Sequence, residues 1–82
     1  MNTEIIIYTK ANCTNCVTAK MVLNGFGLKY TEVDVEVGDH MANLLKEFPD
    51  ARQMPQIFIN RQRVGGLAGL QAALKQIGSV PL

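Results

Sequence analysis

An α/β domain with a mixed four-stranded sheet and three helices on its faces, in the order strand-helix-strand-helix-strand-strand-helix, is the fold class this sequence predicts. Three observations predict it. Short β-branched and aromatic runs (Ile5-Ile6-Ile7-Tyr8, Val33 to Val37, Ile57-Phe58-Ile59) alternate with segments whose apolar residues recur every three or four positions. A strand-helix-strand start implies two parallel neighbours joined by a right-handed crossover. Two later strands only a turn apart pair antiparallel, which makes the sheet mixed. The chain has 82 residues, 48% apolar and 18% charged. Against about 150 residues for an ordinary domain this reads as one domain over 1–82, apolar enough to pack a core.

The first strand, Glu4 to Tyr8, is nearly continuous in apolarity, which suits an inner strand covered on both faces. Asn12 is expected to cap a helix beginning around Cys13, with Cys16, Ala19, Leu23 and Phe26 on one face and Val22 beside them. Gly25-Phe26-Gly27 supplies the stop, because glycine tolerates the left-handed conformation at a helix end. Tyr30 to Val37 alternates, Val33, Val35 and Val37 on one face and Glu32, Asp34 and Glu36 on the other, as in a sheet-edge strand with one wet face. Gly38-Asp39 offers an N-cap to a helix with apolar positions Met41, Leu44, Leu45 and Phe48, and Pro49 forbids its continuation. Pro55 opens the run Gln56 to Ile59, and Asn60-Arg61 makes a two-residue turn into Gln62-Arg63-Val64, although Arg is a poor choice in such a turn. Gly65-Gly66 leads into the last helix, with Leu67, Leu70, Leu74 and Ile77 at helical spacing and Gly78 as its end.

Eight Lys and Arg against seven Asp and Glu leave a formal charge of +1, which gives no field for general nucleic-acid binding. The apolar stretch Ile5 to Ile7 is too short for a signal-peptide core or a membrane span. The expected compartment is therefore the cytosol, where thiols are kept reduced. Two cysteines three apart in such a compartment point to metal ligation or thiol redox chemistry rather than to a structural staple.

Their setting, Cys13-Thr14-Asn15-Cys16 after a strand and at the first turn of a helix, favours redox chemistry. Free backbone N–H groups and the helix dipole stabilise a thiolate there, below the free thiol value of about 8.5 and within roughly 3.5 to 7.5 at such sites. Cys13 is the natural nucleophile. Cys16, one turn further in and on the arc of Ala19 and Leu23, is the more buried resolving thiol. A zinc site needs about four ligands, yet His40 is the only other strong candidate and no second cysteine pair exists. Metal or cluster binding would need ligands from outside the chain. The element order and the place of the cysteines together describe a thioredoxin-like domain in its smallest form.

Three separated segments carry a family resemblance: Tyr8-Thr9-Lys10-Ala11-Asn12-Cys13-Thr14-Asn15-Cys16, Met54-Pro55-Gln56-Ile57-Phe58-Ile59 and Val64-Gly65-Gly66-Leu67. Over nearly its whole length the chain resembles the glutaredoxins, particularly the short dithiol glutaredoxins of bacteria and phages. Lys10, three residues before the nucleophile, can lend positive charge to a thiolate or a substrate carboxylate, and the resemblance implies that it meets the glycyl carboxylate of glutathione. Arg52 can join it, with an ordinary surface arginine as the equal alternative. Met54-Pro55 resembles the family's cis-proline junction, which would turn the backbone of Met54 toward an extended peptide such as glutathione. Gly65 and Gly66, with Leu67 at the helix start, offer backbone N–H groups to a carboxylate.

Two departures stand out. The family commonly has Pro-Tyr between the cysteines; Thr14 and Asn15 lack that rigid helix start and that aromatic packing surface, though they can hydrogen-bond a thiolate or cap the helix. The family's Asp or hydroxyl anchor for the γ-glutamyl end is replaced by Leu67, Ala68 and Gly69, leaving backbone contacts only. His40 reads as a solvated histidine, and Tyr8 either flanks the cysteine turn or is a buried strand aromatic. The resemblance implies a dithiol-disulfide oxidoreductase acting on protein disulfides or glutathione mixed disulfides. Glutathione would be its reducing co-substrate, no metal is expected, ribonucleotide reductase is a candidate client, and the protein would be a monomer. Alternatives are the same chemistry recycled by thioredoxin reductase, and a dimer holding an iron–sulfur cluster between two Cys13 thiolates with glutathione as the outside ligand.

Overall fold

Ile5–Thr9 (β1), Thr31–Asp34 (β2), Gln56–Ile59 (β3) and Gln62–Gly65 (β4) form a four-stranded sheet of order β2-β1-β3-β4, with β1 in its interior. The computed structural model describes residues 3–77, without the side chain of Ile77. β2 lies parallel to β1, and β3 and β4 continue the sheet antiparallel. The connecting helices are α1 (Thr14–Gly25), α2 (His40–Glu47) and α3 (Leu67–Ile77). The mixed sheet, the element order and the edge position of β2 are those the sequence predicts.

The period of two along the strands divides the core. Ile5, Ile7, Ile57 and Ile59 point to one face and pack with Ala19 and Leu23 of α1 and Leu70 and Leu74 of α3. Phe58, with the partly buried Ile6 and Tyr8, faces the other side and meets Leu44, Val35, Ala51, Met54 and Cys16. Ile5 and Ile7 are buried while Ile6 and Tyr8 are only half-buried. β1 is thus an inner strand less evenly covered than its unbroken apolarity predicts, since the eight-residue α2 screens less of the sheet than two longer helices.

Several local expectations need correction. β2 stops at Asp34 rather than running to Val37. The side chain of Asp34 accepts the N–H of Glu36 at 2.8 Å and its carbonyl accepts that of Val37, a side-chain-stabilised turn that ends the alternation early. Val35 is still buried, but Val37 is exposed. Phe26 leaves the buried face of α1 and is 53% exposed at the C-cap. Helix α1 ends at Gly25, and Gly27, φ +69°, follows the C-cap with its N–H on the Asn24 carbonyl and Leu28 N–H on that of Leu23, a glycine-terminated end of the expected kind. Asp39 precedes α2 without a side-chain capping bond; its carbonyl accepts the Asn43 N–H instead. Asn60 and Arg61 both adopt positive φ, 51° and 70°, so the tight turn forms despite the arginine. The Asn60 side chain pins it by accepting the N–H of Glu4. The expected end of α3 at Gly78 lies outside the described residues.

α3 and β4 approach each other closely. A Cβ built on Gly69 would fall 2.8 Å from the carbonyl carbon of Val64 and closer still to its oxygen. Gly69 therefore fixes how α3 seats on the sheet, and with it the position of the Gly65-Gly66 segment.

Candidate active site

β1 delivers the chain to the end of the sheet, where Ala11 and Asn12 turn it into α1. Asn12 takes φ +56° and spends its conformational tolerance on that turn, not on capping the helix. Cys13 is itself the N-cap: its Sγ accepts the backbone N–H of Cys16 at 3.1 Å. The sulfur occupies the place where helices hold an acceptor, because the first-turn N–H groups lack intrahelical partners there. Cys13 and Cys16 form a disulfide with their Cα atoms 5.2 Å apart. Cys13 is half-buried and Cys16 is only 2% exposed, the asymmetry expected of an attacking and a resolving sulfur.

Met54-Pro55 is a cis peptide. The carbonyl oxygen of Met54 lies 3.6 Å from Cys13 Sγ, a packing contact in the disulfide state, since no sulfur proton is present. Both Met54 and Pro55 are buried. Gly66 closes on the same segment, for a Cβ built there would stand 3.5 Å from the Pro55 carbonyl oxygen. Gly65, φ +97°, supplies the bend, and the Gly66 carbonyl accepts the N–H of Leu70 in the first turn of α3. The fold thus draws Cys13, Cys16, Met54, Pro55, Gly65 and Gly66 together from three separate parts of the chain. Leu67 is partly buried and packs against the core. Thr14 and Asn15 are exposed on the first turn of α1, Lys10 is exposed just before it, and Arg52 is exposed two residues before Met54. Neither cation forms an ion pair among the described residues.

His40 is exposed, with Nδ1 2.9 Å from the Asp34 carbonyl. Tyr8 stands edge-on to Phe58, ring centres 5.7 Å apart, and belongs to the core cluster that also holds both cysteines. Among the described residues no three His, Cys, Asp or Glu side chains converge as metal ligands, and no helix is long and apolar enough to cross a membrane.

A support for the cysteine loop escaped sequence reasoning. Thr9, the last residue of β1, is buried and donates its hydroxyl proton to Glu32 at 2.7 Å, and Lys20 of α1 reaches the same carboxylate oxygen at 2.9 Å. These bonds, that from Thr9 first, hold the Glu32 carboxyl below its ordinary value. Ala11 N–H adds a bond to Glu36 at 3.2 Å. The only sequence signal was acids on the wet face of β2, which says nothing about their partners.

Comparison with known proteins bears on this geometry. Residues 5–64 match the family model described as Glutaredoxin. Glutaredoxin 1 of Rickettsia bellii is 39% identical over 66 residues, covering 76% of this chain and 67% of its own. The mitochondrial Glutaredoxin-2 of Mus musculus is 27% identical over 84 residues, covering 99% of this chain; the match spans about half of that protein, 54% of its length. Among solved structures, Glutaredoxin 1 from Francisella tularensis, complexed with cacodylate, superposes with a TM-score of 0.78 at 24% identity, covering 95% of this chain and 99% of that one. The buckwheat glutaredoxin-glutathione complex gives 0.75 at 19%, covering 90% and 70%. These likenesses establish the thioredoxin-like fold.

Proposed function

This chain belongs to the glutaredoxin family, and from that premise we propose that it is a dithiol-disulfide oxidoreductase whose oxidised form is re-reduced by glutathione. The observation that carries the reading is the place of Cys13 Sγ at the N-cap of α1, where it receives the Cys16 N–H with Cys16 buried behind it. Both the helix terminus and that N–H favour the negative form of the sulfur.

The Cys13 thiolate attacks one sulfur of the substrate disulfide and joins it in a mixed disulfide, and the other substrate sulfur leaves as a thiolate and takes a proton. Cys16, deprotonated, then attacks Cys13 Sγ, forming the Cys13–Cys16 bond and releasing the second substrate thiolate. Two electrons have passed from the dithiol to the substrate. Two molecules of glutathione return them and leave as glutathione disulfide. An extended peptide lying against Met54 and Pro55 can be held by backbone groups, with its carboxylates met by Lys10, Arg52 and the N–H groups at Gly66 and Leu67. The buckwheat relative is a glutaredoxin crystallised with glutathione, which supports this choice of reductant. A dithiol that must be restored after each turnover suits a reducing compartment such as the cytosol.

Substitution separates the two sulfurs. Cys13→Ser abolishes all disulfide reduction, whereas Cys16→Ser still attacks glutathione mixed disulfides; activity surviving in the Cys13 variant would overturn the assignment. One observation favours a second reading, recycling by thioredoxin reductase. The family's side-chain anchor is replaced by Leu67, Ala68 and Gly69, and Gly69 is sealed against Val64. Comparing re-reduction of the oxidised protein by glutathione and by thioredoxin reductase decides between the two donors.

A further inference from the structure

The outward face of α1, the helix that Cys13 caps, is uncharged. Its exposed residues are Thr14, Asn15, Val17, Met21, Asn24 and Gly25, none of them charged. Lys20, the one cation on the helix, is turned to the side and paired with Glu32 at 2.9 Å. Val17 is 54% and Met21 66% exposed. Four residues apart, they sit one above the other on the helix surface. At 1.5 Å per residue they lie about 6 and 12 Å along the axis from Cys13. Single exposed apolar residues are ordinary; two stacked beside a nucleophile make a continuous apolar strip on an otherwise neutral surface.

We propose that Val17 and Met21 form a docking strip for an apolar segment flanking the disulfide of a client protein, so that the site selects protein disulfides by their apolar neighbours. The inference rests on the dithiol reading above and names a substrate class for the same site. Val17 stands one turn from Cys13, its N–H on the Cys13 carbonyl at 3.2 Å, so the strip begins one helical turn from the residue that the client disulfide has to reach. It also suits the occupant: an uncharged face offers nothing to a charged tripeptide, whereas a thioether and a branched aliphatic chain fit apolar side chains closely. During attack the client lies over the first two turns of α1, its disulfide at Cys13 and its apolar segment on Val17 and Met21. The thiolate exchange and electron count are those already given. The strip only lowers the energy of the encounter and of the attack that follows it.

Single-turnover reduction by the pre-reduced full chain tests this with three probes: a disulfide peptide flanked by Leu and Ile, the same peptide flanked by Ser and Gln, and hydroxyethyl disulfide. The expected result for the unsubstituted protein is about tenfold faster reduction of the apolar-flanked peptide than of the polar one, as burial of two part-exposed apolar side chains suggests. In Val17→Ser/Met21→Gln the rate ratio of the apolar peptide to hydroxyethyl disulfide falls by a similar factor. Val17→Ile/Met21→Leu retains it, which separates loss of the strip from loss of the helix. Equal rates on both peptides, or a ratio that survives in the polar double variant, overturn the docking strip alone. No reduction of any probe overturns both the strip and the dithiol reading.

Discussion

Cys13 performs two tasks with one atom: its sulfur caps α1 and is also the proposed nucleophile. The two can be separated by substitution. A serine Oγ caps a helix well and alanine does not, a difference of about 1 kcal/mol. In the reduced state Cys13→Ser should keep the urea midpoint near that of the parent while losing all activity, and Cys13→Ala should be about 1 kcal/mol less stable than Cys13→Ser. Equal stability of the two variants would mean that the sulfur does not cap. Asn12 makes a companion case. At φ +56° a β-branched side chain is strained, so Asn12→Val should cost about 1–2 kcal/mol while Asn12→Gly is nearly neutral, both read from the same denaturation curves.

At the scale of elements, the seat of α3 on β4 decides where the Gly65-Gly66 segment meets Pro55. Gly69→Ala would drive a methyl group into the Val64 carbonyl and should destabilise by about 3 kcal/mol or more, at the upper end of overpacking costs. Gly25, in the last turn of α1, has nothing within 4 Å of a built Cβ and no positive φ. Gly25→Ala should therefore raise stability by about 0.5–1 kcal/mol through helix propensity. The same substitution in two helices has opposite signs because one helix face is closed by a neighbouring backbone and the other is open. Thermal midpoints of the two variants check the pair.

Across the whole molecule, Thr9, Lys20 and Glu32 tie β1, α1 and β2 together beneath the cysteine loop. The Glu32 carboxyl is held below its ordinary value of 4.5, chiefly by the Thr9 hydroxyl and then by Lys20. A carboxyl whose folded value is lowered stabilises the fold fully above its unfolded value and loses that contribution as the pH falls through the folded one. Thr9→Val should thus cost about 1 kcal/mol near neutrality, a modest figure because Glu32 faces solvent. The gap between parent and variant should narrow as the pH drops below the ordinary carboxylate value. Urea unfolding at neutral and acid pH measures it, and a gap that does not change with pH would exclude the charged bond.

Much of this fold was legible in the residues. Period-two and period-3.6 patterns are local properties, so the seven elements, the inner place of β1 and the glycine-ended α1 follow from the chain alone. The cysteine spacing at a strand-helix junction likewise announced a dithiol site, and Asn60 announced the hairpin turn. Local pattern failed where a side chain competed with it: Asp34 ended β2 three residues early, and Cys13 took the cap expected of Asn12. Tertiary structure alone decided the contact between Cys13 and Met54, 41 residues apart, the closure of Gly66 on Pro55, and the burial of Thr9 against Glu32. Such contacts depend on how helices seat on a sheet, and that is set by close packing of side chains and backbone from distant segments, a property no window of sequence contains.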